Sequence, residues 1–278
     1  MPLEDQISLW NNTEMAQELT RSYKGLFPFK LATTSYIYPD HLIPNVAKLG
    51  PFFDEIELVL FESKGLDNLP DGEQIQSLRD LRLQQRINFN IHLPIDLSLG
   101  DEDEKVRTSG LSTIKKIIET TLCLNPSVYT LHLERKNQAG LEDWQRRLIR
   151  SMEEVSGWGI DPGRISIETL GYPFEWVEEI VRDFGFSICL DIGHILISGQ
   201  DLELHFEKYL SRTSIIHLHG FEDSIDHLGI DRLTDPVLNL IMERLRNFRG
   251  TVSIEVFSMD HLKRSLVTLE EKWRKRQS

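Results

Sequence analysis

Short, apolar, β-branched runs alternate along this chain with longer stretches in which apolar residues recur every three or four positions. The short runs cover 31–35, 56–61, 87–92, 128–133, 165–169, 187–192, 214–219 and 251–257. Each has the length and composition of a buried strand. Between them, Leu111, Ile114, Ile118 and Leu122 mark one stripe of a helix, and Phe174, Val177, Val181 and Phe184 mark another. Pro173 fits the first position of that second helix, and Gly185 the position just past its end. Val237, Leu238, Ile241, Leu245 and Phe248 form a third stripe behind Pro236. Helical spacing also covers 71–86, 141–155, 201–210 and 259–275, with a shorter stretch at 40–49. Eight strands, each followed by a helix, predict a closed parallel (β/α)8 TIM barrel. An open doubly wound sheet would usually carry a Gly-rich phosphate loop after its first strand. Here the first strand runs into Thr33-Thr34-Ser35-Tyr36, without glycine. Residues 1–28 are expected to pack outside as an N-terminal helical extension, leaving 29–278 as one barrel domain.

The strands end on ionisable residues. His92 closes the third, His132 the fourth, Glu168 the fifth, Asp191 the sixth, His217 the seventh and Glu255 the eighth. Side chains at i and i−2 share a strand face. Two residues before these positions stand Asn90, Thr130, Ser166, Cys189 and Ser253, all small or polar. The intervening Ile91, Leu131, Ile167, Leu190, Ile216 and Ile254 are all aliphatic and suit the helix-facing side. The six ionisable groups are therefore expected inside the top of one barrel. Unpaired buried charges there would each cost several kcal/mol. No Lys or Arg lies among these strand ends, so divalent cations are the natural neutralising partner. Imidazole nitrogen mixed with carboxylate oxygen suits Zn, Mn or Fe better than Ca or Mg.

Bulk properties narrow the function classes. A length of 278 residues fits one barrel. The net charge of −13 repels phosphate polymers and anionic membranes, which disfavours nucleic acid and leaves a small molecule as the expected substrate. Cys123 and Cys189 cannot build a disulfide framework. Residues 1–12 lack the apolar core of a signal peptide, and no apolar run approaches a membrane span, so a cytoplasmic protein is expected. The oligomeric state is left open.

Other polar residues join the candidate site. His194, three residues after Asp191, could reach a further metal. His219 shares a face with His217 and could be a ligand or a substrate contact. The loop 221–229 carries Asp226 and His227, a pair that could complete a metal site. Glu62 ends the second strand, and Arg135 and Lys136 follow the fourth. All three are candidate substrate contacts, the two cations for an anionic group. His41, His205 and His261 fall in helical segments and are expected at the surface.

The ordered set His92, His132, Glu168, Asp191, His194, His217 and Glu255 resembles the endonuclease IV and xylose-isomerase-like barrel superfamily, over nearly the whole chain past Lys30. That resemblance implies a divalent metal on Glu168, Asp191, His217 and Glu255. Sugar isomerases and epimerases of the group often use only this quartet. The endonuclease branch adds histidines on strands three and four, one after the sixth-strand Asp, and an Asp/His pair after strand seven. His92, His132 and His194 therefore look like the multi-metal, phosphoester-cleaving branch. The chain departs at the last pair, which that branch spaces by one residue, whereas Asp226 and His227 are adjacent.

The stretches Thr33-Thr34-Ser35-Tyr36-Ile37-Tyr38-Pro39, Asn45-Val46, 54–62, Asn68-Leu69-Pro70 and His92-Leu93-Pro94 are more closely similar to the cobamide-remodelling phosphodiesterases (CbiR-like). This resemblance implies hydrolysis of a phosphoester in the nucleotide loop of cobamides. It implies two or three divalent ions and a catalytic set of Glu168, Glu255 and His194. One ion at His92, His132 and Glu168 would share Glu168 with a second at Asp191, His217 and Glu255. A third would use His194 with Asp226 or His227. The alternatives are a metal-dependent sugar isomerase or epimerase, a DNA-repair enzyme acting at abasic sites, and a non-catalytic metal or cobamide carrier.

Overall fold

The computed structural model describes residues 19–60, 69–135, 140–223 and 225–275. Eight parallel strands close into a barrel: β1 (Lys30–Thr34), β2 (Glu55–Val59), β3 (Asn88–His92), β4 (Tyr129–Leu131), β5 (Ile165–Glu168), β6 (Ser187–Asp191), β7 (Thr213–Leu218) and, after a small hairpin, β10 (Thr251–Ile254). β10 pairs with β1 and β7, completing the ring. The expected (β/α)8 TIM barrel is therefore the fold.

The outer helices are α1 (Leu42–Leu49), α2 (Gly72–Gln85), α3 (Glu104–Thr121), α4 (Leu141–Ser156), α5 (Glu175–Asp183), α7 (Leu202–Tyr209), α8 (Asp235–Leu245) and α9 (Met259–Lys275). Local chemistry sets several of their ends. Asp71 and Gln74 form a reciprocal capping box at the start of α2. The Asp201 side chain accepts the Leu204 N–H at the start of α7. Pro236 sits in the first turn of α8, where its missing N–H is harmless.

Strand alternation divides the interior as expected. Ile91, Leu131, Ile167, Leu190, Ile216 and Ile254 all join one continuous hydrophobic core between strands and helices. Inside the barrel the filling is mostly polar, with a separate small apolar cluster of Val128, Cys189 and Ile215. Barrels are usually plugged by bulky branched side chains. This one instead leaves polar groups that need partners.

Three features differ from expectation. A short helix, α6 (Ile192–Ile197), starts directly at the end of β6. The loop after β7 contains an antiparallel hairpin of β8 (Gly220–Glu222) and β9 (Ile225–Leu228). His205 is buried, not at the surface: its ring packs edge-on to Tyr209, and its Nδ1 donates to the Asp201 carbonyl at 2.7 Å. Of the expected N-terminal helical extension, residues 19–28 run as turns, with Leu19 and Tyr23 tucked against the core. Residues 1–18, like Glu62 and Lys136, lie outside the described residues.

Candidate metal centre

Glu168 is the hub of the barrel mouth. It ends β5, is 1% exposed, and turns one oxygen to each side of the site. Its Oε2 lies 3.2 Å from His92 Nε2 and 2.9 Å from His132 Nε2. Its Oε1 lies 3.5 Å from both His217 Nδ1 and His194 Nδ1. The Leu93 carbonyl, 2.9 Å from His92 Nδ1, can only accept, so Nδ1 carries the proton. A neutral His92 then presents its Nε2 lone pair to a carboxylate oxygen. Two acceptors at that distance need a proton or a cation between them.

The second half of the centre is Glu168, Asp191, His217 and Glu255, whose ligand atoms all lie within 4.8 Å of one another. His217 Nδ1 stands 3.1 Å from Glu255 Oε2 and 3.8 Å from Asp191 Oδ2. Yet His217 Nδ1 and Glu255 Oε2 are both buried without a hydrogen-bond partner. They are close without a hydrogen bond between them. Buried polar atoms in proteins are nearly always satisfied. Two ligand clusters sharing Glu168, the second with His217 Nδ1 and Glu255 Oε2 orphaned, fit divalent cations at both.

α6 places the next ligand. Asp191 Oδ1 accepts the His194 N–H at 2.6 Å, capping the helix and setting His194 one turn later on the same rim. His194 Nδ1 is likewise orphaned, 3.6 Å from Asp191 Oδ2. The last cluster is His194, His219 and His227. His219 is fully buried: its Nε2 donates to Asp191 at 3.1 Å, and its Nδ1 lies 3.0 Å from the His227 N and 3.1 Å from the Gly220 carbonyl. It orients a ligand and lies outside the cavity lining, so the expected substrate contact is corrected to an internal partner. Gly193 is what lets His219 in, because a Cβ there would sit 1.9 Å from His219 Cε1. Asp226 is half-exposed, with Oδ2 3.9 Å from His227 Nε2, and joins no ligand cluster among the described residues. Of the expected Asp226/His227 ligand pair, His227 groups with His194 and His219, while Asp226 lines the cavity.

One functional residue was missed in the sequence. Glu57 of β2 is fully buried, with Oε1 3.0 Å from His217 Nε2, an ion-pair distance without a hydrogen bond between them, while Ser253 Oγ donates to its Oε2. A carboxylate on the outer nitrogen favours a proton there and leaves Nδ1 free for the mouth. Its position i+2 to Glu55 on an inward face was the available signal. Replacing Glu57 with Ala should weaken metal binding by roughly 10- to 100-fold, with Glu57→Gln partly restoring it. Competition against a chromophoric chelator measures this, and unchanged affinity in folded Glu57→Ala would remove Glu57 from the centre.

Charges in the metal-free centre neutralise one another. Burial opposes a charged His132, but Glu168 and Glu134 outweigh it and lift its pKa to about 10 from the ordinary 6.5. His217 is raised as well, with burial overcome by Cys189, Glu255, Glu57 and Glu168. Burial would raise the carboxyl of Glu168, but His132 and His217 hold it well below its usual range. Glu255 behaves similarly beside His217 and His227. The raised imidazoles contribute stability that is complete below 6.5 and lost as pH climbs through about 10. The depressed carboxylates contribute above their ordinary 4.5 and lose it as pH falls. Metal-free protein should therefore melt highest between 4.5 and 6.5. Added metal displaces imidazole protons and should move that maximum upward. Melting curves across pH, with and without metal, test both parts; a metal-free maximum above neutrality would contradict the charge assignment.

A cavity of about 810 Å³ opens over this centre. His92, His132, Glu168, His194 and Glu255 reach its floor. The architecture and floor together define a (β/α)8 barrel with a candidate multinuclear metal centre at the C-terminal ends of its strands. The chain belongs to the xylose isomerase-like TIM barrel family, whose model matches residues 43–277. A search of curated proteins returns no match to its sequence. Among solved structures, it is similar to a D-tagatose 3-epimerase-like protein at 21% identity and a TM-score of 0.75, covering 90% of this chain and 100% of that one. It is similar to an IolI protein with a bound zinc atom at 17% identity and a TM-score of 0.71, covering 89% and 99%. The 3-keto-D-glucoside 4-epimerase of E. coli matches at 14% identity and a TM-score of 0.69, covering 88% and 98%. At these identities the likeness is one of fold. No described helix is long and apolar enough to cross a membrane.

Proposed function

We propose that this chain is a metal-dependent phosphodiesterase that hydrolyses a phosphoester in the nucleotide loop of cobamides. The observation that carries the hydrolytic reading is Glu168 with imidazoles on both sides: His92 and His132 at one oxygen, His217 and His194 at the other. His92 and His132 extend the possible ligand set beyond the quartet of Glu168, Asp191, His217 and Glu255. Divalent metals held by these clusters would supply Lewis-acid charge at a phosphoryl oxygen and activate water near neutral pH. Glu168 would serve both clusters and set their separation. His219 and Glu57 would hold Asp191 and His217 in place. His194 and Glu255 would line the approach to phosphorus, and Arg135 at the rim would hold a non-bridging oxygen. The cobamide part rests on the sequence motifs around 33–39, 54–62 and 92–94.

Protein loaded in turn with Zn, Mn and Fe is incubated with cobalamin, and products are separated by chromatography. A cobinamide phosphate and a free nucleoside are expected in equal amounts. Intact cobalamin with all three metals would overturn the substrate assignment.

A second reading has an observation of its own. The solved structures that resemble this chain include several named as sugar epimerases, which lean towards a metal-dependent sugar isomerase or epimerase. That reading predicts one metal per chain and exchange of a carbon-bound ketose proton with solvent deuterium. Two or more metals per chain and no exchange would dispose of it.

A further inference from the structure

The cavity has two unlike walls. The floor is imidazole and carboxylate, whereas much of the remaining lining is aromatic and aliphatic: Tyr172, Trp176, Leu170, Ile95 and Ile197, with Arg135, Asp96 and Glu134 among them. Ile95 and Ile197 are 40% and 39% exposed, and both line this one mouth. Exposed apolar groups gathered in a pocket mark a place where apolar surface is meant to be covered.

The wall is pre-organised. Tyr172 and Trp176 stack with ring centroids 5.5 Å apart and planes 9° from parallel, and Arg135 Cζ lies 5.1 Å from the Trp176 centroid. Trp144 packs edge-on behind Tyr172. The Tyr172 hydroxyl donates to the Leu133 carbonyl at 2.9 Å, and Gln145 Nε2 donates to the Trp176 carbonyl at 2.7 Å. These bonds tie the loop after β5 to the segment after β4, and the first turn of α5 to α4. Arg135 is the single Lys or Arg lining the cavity among the described residues.

We infer that this shelf of Tyr172 and Trp176 seats a planar aromatic or heteroaromatic ring of the substrate, with the anionic group beside it directed by Arg135 to the floor. Stacking planes of Trp, Tyr and Arg offer π-faces to a flat ring. The inference rests on the phosphoester reading for the anionic group, but the ring-binding part can be measured without turnover. Phenyl phosphate and methyl phosphate share the anionic head and differ by the ring. Their affinities for the metal-loaded protein are compared by calorimetry, in wild type, Trp176→Ala and Trp176→Phe. Phenyl phosphate should bind about tenfold or more tightly than methyl phosphate, as expected for one stacked ring. Trp176→Ala should pull that ratio towards one and leave methyl phosphate unchanged, while Trp176→Phe should keep most of it. A wild-type ratio near one, or a ratio that survives in Trp176→Ala, would overturn the shelf. Failure to cleave any phosphodiester, with the ratio intact, would instead count against the hydrolase reading alone.

Discussion

Glu168→Gln is expected to leave a folded barrel that retains less than one metal per chain and has lost turnover. The change keeps volume and shape and removes the charge that both ligand clusters share. An amide can offer its oxygen to one side only, and its NH2 would face either the imidazoles at Oε2 or His217 and His194 at Oε1. The loss should exceed the roughly 10- to 100-fold typical of an outer-shell partner. Elemental analysis of dialysed protein and a single-turnover assay read the two effects separately. A fully loaded, active Glu168→Gln would remove Glu168 from the hub.

Chelation should cost stability as well as activity. A site held at about 1,000 times its dissociation constant stabilises the fold by about 4 kcal/mol. For a domain of this size that corresponds to a melting shift of about 8 °C per site. With two clusters sharing Glu168, stripping should lower the melting temperature by about twice that, and restoring metal should recover it. The cause is the buried carboxylates Glu168, Asp191 and Glu255, which without metal are balanced only by protonated imidazoles. Scanning calorimetry before and after chelation measures the difference. A melting temperature indifferent to metal would mean that no ion is held there.

The barrel was legible because its signal is repetitive. Aliphatic residues at Ile91, Leu131, Ile167, Leu190, Ile216 and Ile254 face the helices, so the ionisable residues one position on had to point inward. His92, His132, Glu168, Asp191, His217 and Glu255 could therefore be placed at one mouth before any coordinates. What escaped were relations set by tertiary neighbours. Glu57 reads like any polar residue in a strand until β7 brings His217 within 3.0 Å. His219 reads as a loop contact, but the β8–β9 hairpin and the missing side chain at Gly193 fold it inward against Asp191. His227 takes a left-handed φ of 53°, a backbone choice that spacing alone does not reveal. That turn directs His227, and not Asp226, towards His194 and His219. α6 was hidden because Asp191 is both the end of β6 and the cap of the next helix.

The central claim is that cations join these clusters, and diffraction recorded at the absorption edge of the loaded metal tests it most directly. Two anomalous peaks are predicted. One would lie within bonding distance of His92, His132 and Glu168, and the other within bonding distance of Glu168, Asp191, His217 and Glu255. A barrel mouth without an anomalous peak in metal-saturated crystals would contradict the account.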